Sequence, residues 1–151
     1  PQVTGGRGCV LAVALSAVSA AGQDGGMHRS RLTAALVDVP QEQYREVVQF
    51  WSGALGVEAE IDDDDPNYAS IGEPVPGFQF MVQQVDAPAR IHLDIETDDV
   101  DAEVDRLEGL GAERVEKIES WWVMRDPAGN FFCVVRVQDP AAFERDARAW
   151  D

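Results

Sequence analysis

The stretch RIHLDIETDDVDAEVDRLEGLGA, residues 90–112, decides the fold. Its first residues alternate. Ile91, Leu93 and Ile95 point one way and Arg90, His92, Asp94 and Glu96 the other, as on a strand with one apolar face. From Val100 the period changes: Val100, Val104, Leu107 and Leu110 fall on one stripe of a helix that Gly111 stops. Strands follow at 112–119, 121–126 and 131–137, the last entered through the turn Asp126-Pro127-Ala128-Gly129-Asn130. Upstream, the same order is already present once. RLTAALVDV (31–39) is an apolar strand ended by Pro40. Tyr44, Val47, Val48, Trp51 and Leu55 recur at helical steps over 41–56, and Gly56 ends that helix. Residues 57–61, 67–72 and 78–85 read as strands, with the acidic run 62–65 as a solvated turn lacking the spacing of a calcium loop. ALGVEAEI and GLGAERVEKI hold the same place in each copy, so the chain repeats a unit of about 50 residues. The expectation is an α+β fold. Two tandem βαβββ modules, about 31–88 and 90–137, form curved mixed sheets around a shared cleft, with the helices on the outer faces. Each module carries a four-stranded sheet, and a C-terminal helix over 139–150 docks through Phe143 and Trp150.

The chain of 151 residues is long enough for one domain with a real core, and its apolar content of 45% and charged content of 26% are ordinary for a globular protein. A net charge of −16 argues against nucleic acid and membrane as partners, both of which call for Lys/Arg surfaces, and weakly favours a cationic ligand. Self-association into a homodimer stays open. Two cysteines, Cys9 and Cys133, give no disulfide framework and point to the reducing cytoplasm. Residues 1–26 read as a leader, either non-native, mis-started or signal-like, because CVLAVALSAVSAAG (9–22) resembles the apolar core of a signal peptide; a true signal segment would mean export. The domain is then 27–151, and the leader is expected to be dispensable.

Alternation places His92 opposite Ile91, Leu93 and Ile95, which are expected to pack under a helix. His92 then lines the cleft, either as a hydrogen-bonding or acid–base group oriented by Asp94, or as a polar residue on a wet sheet face. Gln79, Met81 and Gln83 share one face of their strand and are candidate ligand contacts. Cys133 alternates with Phe132 and Val134 and shares the cleft side, as a small buried hydrophobe or, with His92 as its base, a reactive thiol. Of the adjacent Trp121 and Trp122, one faces the core and the other walls the cleft, and Trp122 is the candidate stacking surface. Trp51 reads as helix–sheet core, and His28 as a terminal residue ahead of the first strand. No phosphate-cradling glycine loop, nucleophile elbow or CxxC motif is present.

Three segments, FWSGALGV (50–57), residues 90–112 and RDPAGNFFCVV (125–135), together with the tandem modules, make the chain resemble the vicinal oxygen chelate superfamily. That superfamily includes glyoxalase I, bleomycin-resistance proteins and extradiol dioxygenases, and the likeness is to its glyoxalase-like subgroup. The resemblance implies a divalent metal held in the cleft by the first and last strand of each module. Position by position, His92 matches. Cys133 stands where the family offers Glu, Gln83 is a neutral oxygen, and Ala34, Ala35, Leu36 and Val37 offer nothing. The resemblance therefore implies a small-molecule-binding protein without a catalytic metal or other cofactor, sequestering a metabolite or drug, with His92, Asp94 and Trp122 shaping the pocket. Two alternatives are a lyase, isomerase or dioxygenase using Zn, Ni, Fe or Mn on His92, Gln83 and Cys133, and a metal-free enzyme with His92 as catalytic base.

Overall fold

The computed structural model describes residues 27–151. The leader, with Cys9 and its apolar run, lies outside the described residues. The elements are β1 (His28–Val39), α1 (Gln41–Leu55), β2 (Glu60–Ile61), β3 (Tyr68–Ser70), β4 (Gln79–Gln84), β5 (Arg90–Thr97), α2 (Val100–Gly109), β6 (Glu113–Ile118), β7 (Trp121–Arg125), β8 (Phe131–Arg136), α3 (Pro140–Asp146) and β9 (Arg148–Trp150). The order βαβββ occurs twice, as the repeat requires. In each module the first strand lies parallel to the last, β1 to β4 and β5 to β8, because the helix crossover returns the chain in the same direction. Gly56 and Gly111 both take positive φ just past their helices, 68° and 100°, so the two copies stop the helix by the same glycine geometry.

Two four-stranded sheets are not what forms. β1 pairs antiparallel with β5, and this seam fuses the modules into one sheet in the order β2-β3-β4-β1-β5-β8-β7-β6, with β9 added to β1. The expected C-terminal helix is shorter than 139–150. It ends at Asp146, and Arg148–Trp150 become a strand that extends the pairing of β1. Ala147 is already in extended backbone, so no helix can continue through it.

The helices cover the outer sides of the sheet. α1 lies on Val37, Val39, Ala69, Ile71, Phe80 and Val82 through Tyr44, Val47, Val48 and Trp51. α2 lies on Met124, Phe132 and Val134 through Val100, Val104 and Leu107. Fully buried side chains such as Ile71, Val82 and Val104 each contribute about 1.5–3 kcal/mol by leaving water. Between the helices the sheet is bare. Ile91 and Leu93 share the helix-bearing face, as alternation requires, but they are 62% and 42% exposed, because α1 sits over β4 and α2 over β7 and β8. The opposite face holds two further buried clusters, Ala34–Leu36–Tyr68–Met81 and Trp121–Cys133–Val135. The curl of the sheet on itself shields them, and this concave face is where the cleft residues lie.

A bulge between Leu32 and Ala34 in β1 swaps the parity of that strand. Beyond it Ala34, Leu36 and Asp38 face the concave side. Before it Arg31 does, where it donates to Glu96 (2.5 Å), to the Gly77 carbonyl (2.7 Å) and to Thr33 Oγ1 (3.2 Å). The second Glu96 oxygen accepts from the backbone N–H of Gln138 and Asp139, so this buried carboxylate anchors the start of α3. His28 is not a loose terminus. It is the first residue of β1, buried, with Nε2 2.7 Å from the fully buried Glu103 of α2.

Candidate active site

The register of the sheet sets the concave face out in rows. One row runs Tyr68–Gln83–Asp38–Arg90, the next Ser70–Met81–Leu36–His92, and the third places Gln79, Ala34, Asp94, Cys133 and Val123 together. Parallel pairing of β5 with β8 brings Asp94 beside Cys133 and sets His92 one step along, a juxtaposition of residues some forty positions apart in the chain.

His92 is buried between two carboxylates. Its Nδ1 lies 3.0 Å from Asp38 Oδ1 and its Nε2 lies 3.5 Å from Asp94 Oδ1. Asp38 is in turn held by Arg90, whose Nε donates to Oδ2 at 2.8 Å. The ring is thus flanked by a carboxylate at each nitrogen, and the row Arg90–Asp38–His92–Asp94 fixes where it sits. Cys133 closes the group. Donor atoms of His92, Asp94 and Cys133 all lie within 4.8 Å of one another. Burial, and then the neighbouring Asp94 charge, push the Cys133 thiol up to about 12, so it stands as a neutral thiol rather than a nucleophilic thiolate.

The rim is cationic at one end. The guanidinium carbons of Arg90 and Arg125 lie 4.4 and 4.8 Å from the centroid of the same Phe131 ring. Arg90 commits only its Nε to Asp38, and Arg125 makes no ion pair among the described residues. The acidity of the whole chain therefore does not describe its cleft, whose exposed rim carries two cations beside the histidine.

Each sequence candidate has a definite place. His92, Asp94 and Cys133 come together. Gln79, Met81 and Gln83 share the concave face as expected, but Met81 is buried core, and Gln83 gives its Nε2–H to Tyr68 Oη at 2.6 Å, away from the His92 group. Asp94, not Gln83, is thus the third donor of the cluster. Trp122 does not wall the cleft. It packs on the α2 side, under Arg114 and Lys117, and it is Trp121 that turns inward against Cys133 and Val135. The tryptophan order follows from register: Trp122 pairs with Val134, a residue that faces α2. Asp38, Arg90 and Arg125 were missed. Ala34 to Val37 of the first module's opening strand offer no donor, and Asp38, the carboxylate beside His92, sits one residue further on, where no local pattern marks it.

The donor set bears on the metal that the fold family implies. An imidazole, a carboxylate and a thiol fit a borderline cation such as Zn²⁺, and three protein ligands leave the open position of a catalytic zinc. They do not fit Mg²⁺, which wants more oxygens.

The description "glyoxalase-like domain" matches a family model over residues 34–135, more than half of the chain. No curated protein matches. Among solved structures, a hypothetical protein from Bacillus halodurans C-125 superposes with a TM-score of 0.54 at 10% identity, covering 73% of this chain and 96% of that one. The Mn(II)-bound glyoxalase from Novosphingobium aromaticivorans gives 0.51 at 16% identity over 75% of this chain, which spans only 42% of that longer protein. Methylmalonyl-CoA epimerase from Mycobacterium tuberculosis gives 0.49 at 18% identity, covering 74% and 90%. With its twice-used βαβββ unit and this match over residues 34–135, the chain belongs to the glyoxalase-like domain family.

Proposed function

We propose that the protein binds a small organic anion on the concave face, without needing a tightly held metal, and sequesters it or acts on it through His92. The observation that carries this reading is the oriented His92, fixed between Asp38 and Asp94, beside a rim where Arg90 and Arg125 flank Phe131. The two guanidinium groups meet the anionic group of the ligand, Phe131 supports its apolar part, and His92 donates to or takes a proton from the atom placed over it. The charges balance without a dication. Arg90 answers Asp38, Arg31 answers Glu96, and the His92 ring lies beside Asp94. Leu36, in the row beside His92, and Met81 and Tyr68 form a buried apolar cluster next to the ring. We place the protein in the cytoplasm on its cysteine content; no helix among the described residues is long and apolar enough to cross a membrane.

A second reading is favoured by one observation, the 4.8 Å cluster of His92, Asp94 and Cys133. These three would hold a zinc-like ion, which when bound supplies a Lewis acid in the cleft and turns the Cys133 thiol into a thiolate ligand. The chain's own contribution is then to hold His92 in one tautomer through Asp38.

Elemental analysis of purified full-length protein, with a thermal-shift screen of small carboxylates and phosphonates, separates the two. Less than about a tenth of a metal per chain, with anion-dependent stabilisation weakened in Arg125→Ala, is expected. Near-stoichiometric metal, lost in Cys133→Ser, would move the metal-dependent reading into first place.

A further inference from the structure

We propose a second ligand site, on the opposite side of the sheet from His92 and independent of the reading above, that takes an amphipathic organic monoanion with a flat apolar body.

The sheet topology creates the space. Along one edge of β1, β9 pairs only as far as Ser30, and β4 begins only at Ala34. Residues 31–33 therefore have no strand beside them on that edge, and a pocket of about 440 Å³ opens there. That volume is in the range of small-molecule sites. Leu32 and Ile95, cross-strand partners on the helix-bearing face, form the floor. Val75 and Phe78, from the loop ahead of β4, form one wall, and Trp150 of β9 forms the other. Leu32 is 46% exposed, an apolar side chain in mid-strand that nothing in the fold covers.

The Trp150 wall is held rigid. Its indole N–H donates to Ser30 Oγ at 2.8 Å, and the guanidinium of Arg106, which also lines the pocket, lies 4.0 Å from its ring centroid. Arg106 is pinned by both oxygens of Glu103, which also accepts from Ser30 and His28. A ring fixed in this way offers a stacking surface that costs little entropy to use.

Charge decides the class of ligand. Each charged side chain in the lining has an ion-pair partner, with one exception. Glu103 is matched by Arg106, Arg31 by Glu96, and Asp146 by Arg145. The side chain of Arg148, exposed and part of the lining, makes no hydrogen bond or ion pair among the described residues. An apolar bed with one uncommitted guanidinium suits a ligand with one anionic group and an aromatic or branched body.

The test uses full-length protein and 8-anilinonaphthalene-1-sulfonate as the probe, followed by fluorescence and by the indole N–H signals of the tryptophans, with Trp150→Phe to assign the one of interest. The expected result is saturable binding of one probe per chain that moves the Trp150 indole signal and leaves that of Trp121, on the concave side, in place. Arg148→Glu should weaken the affinity about tenfold, and Leu32→Glu should remove it. Should Leu32→Glu fail to fold, Arg148→Glu carries the test alone, because the Arg148 side chain is exposed and makes no ion pair or hydrogen bond among the described residues, and the substitution leaves its backbone pairing with Ser30 in place. Absence of saturable binding, a shift confined to the Trp121 indole, or an affinity unchanged in Arg148→Glu would each overturn the proposal. Loss of metal or ligand binding at His92 has no bearing on these outcomes, so the two sites fail separately.

Discussion

At the residue scale, two buried groups carry opposite chemistry. Cys133 is buried and its thiol stands near 12 instead of 9.0, which leaves about a thousandfold less thiolate than an ordinary cysteine at the same pH. In native protein at pH 8 the Cys133 peptide should therefore stay unlabelled by iodoacetamide over hours, and label readily in urea. Rapid native labelling, read by mass spectrometry, would mean the His92 group activates it. Glu103 behaves the other way. Burial alone would raise its pKa, but hydrogen bonds from Arg106, His28 and Ser30 outweigh burial and hold it below the ordinary 4.5. The folded carboxylate then binds its proton less tightly than the unfolded one. Its contribution is complete above about pH 4.5 and is lost as the pH falls through the lowered folded value. Glu103→Gln turns an N–H donor toward groups that now donate to a carboxylate oxygen and removes the charge facing Arg106, and should cost about 3 kcal/mol at pH 7. The wild-type advantage over this variant should shrink in urea melts taken below pH 4.5; a constant gap would mean the carboxylate charge contributes nothing.

At the scale of elements, α3 depends on one close approach. A Cβ built on Gly77 would meet Ala142 Cβ at 2.7 Å and an Arg145 nitrogen at 2.9 Å, and Gly77 has a φ of 78°. The Gly77 carbonyl also accepts from Arg31. Gly77→Ala should therefore lever α3 off the sheet and cost about 2 kcal/mol, with faster hydrogen exchange in 138–146 than in α2. Unchanged exchange there would show that the loop yields instead. The helices were legible for a clear reason. Periods of three and four residues, with a glycine stop, are local signals, and both helices lie where the spacing puts them. Short strands were not. β2 is two residues where five were expected, because Val57 to Ala59 find no partner strand and a strand without a partner has no ladder to join.

At the scale of the molecule, β1·β5 makes one sheet of the two modules, and β1 contributes Val37 and Val39 to the α1 cluster, His28 and Ser30 to Glu103 of α2, and Leu36 and Asp38 to the concave site. Neither module can melt alone without stripping the other of its edge. Calorimetry of the full chain should thus give one transition for residues 27–151, with calorimetric and van't Hoff enthalpies equal; two resolved transitions would show that the seam is weak. The net charge of −16 adds a second expectation. Self-repulsion among exposed carboxylates is screened by salt, so the melting temperature should rise between 0.02 and 0.5 M NaCl, values chosen to span Debye lengths of roughly 20 to 4 Å.

Alternation, helical period and an internal repeat determined the class of fold, because each is written in neighbouring residues. They also determined which residues share a side of a strand: His92 with Asp94, Gln79 with Met81 and Gln83. Which side of the sheet each set meets, and what it meets there, came only with tertiary structure. Ile91 and Leu93 look like core by pattern, and they are bare because neither helix covers the start of β5. Asp38 looks like a polar residue at a strand end, and it is the partner of His92 because β1 and β5 pair in one register. Trp121 and Trp122 are interchangeable in a sequence, and pairing with Val134 separates them. A bulge of one residue in β1 turns Asp38 inward, and no local signal foretells it, since a strand's parity is a property of its partners as much as of its own side chains.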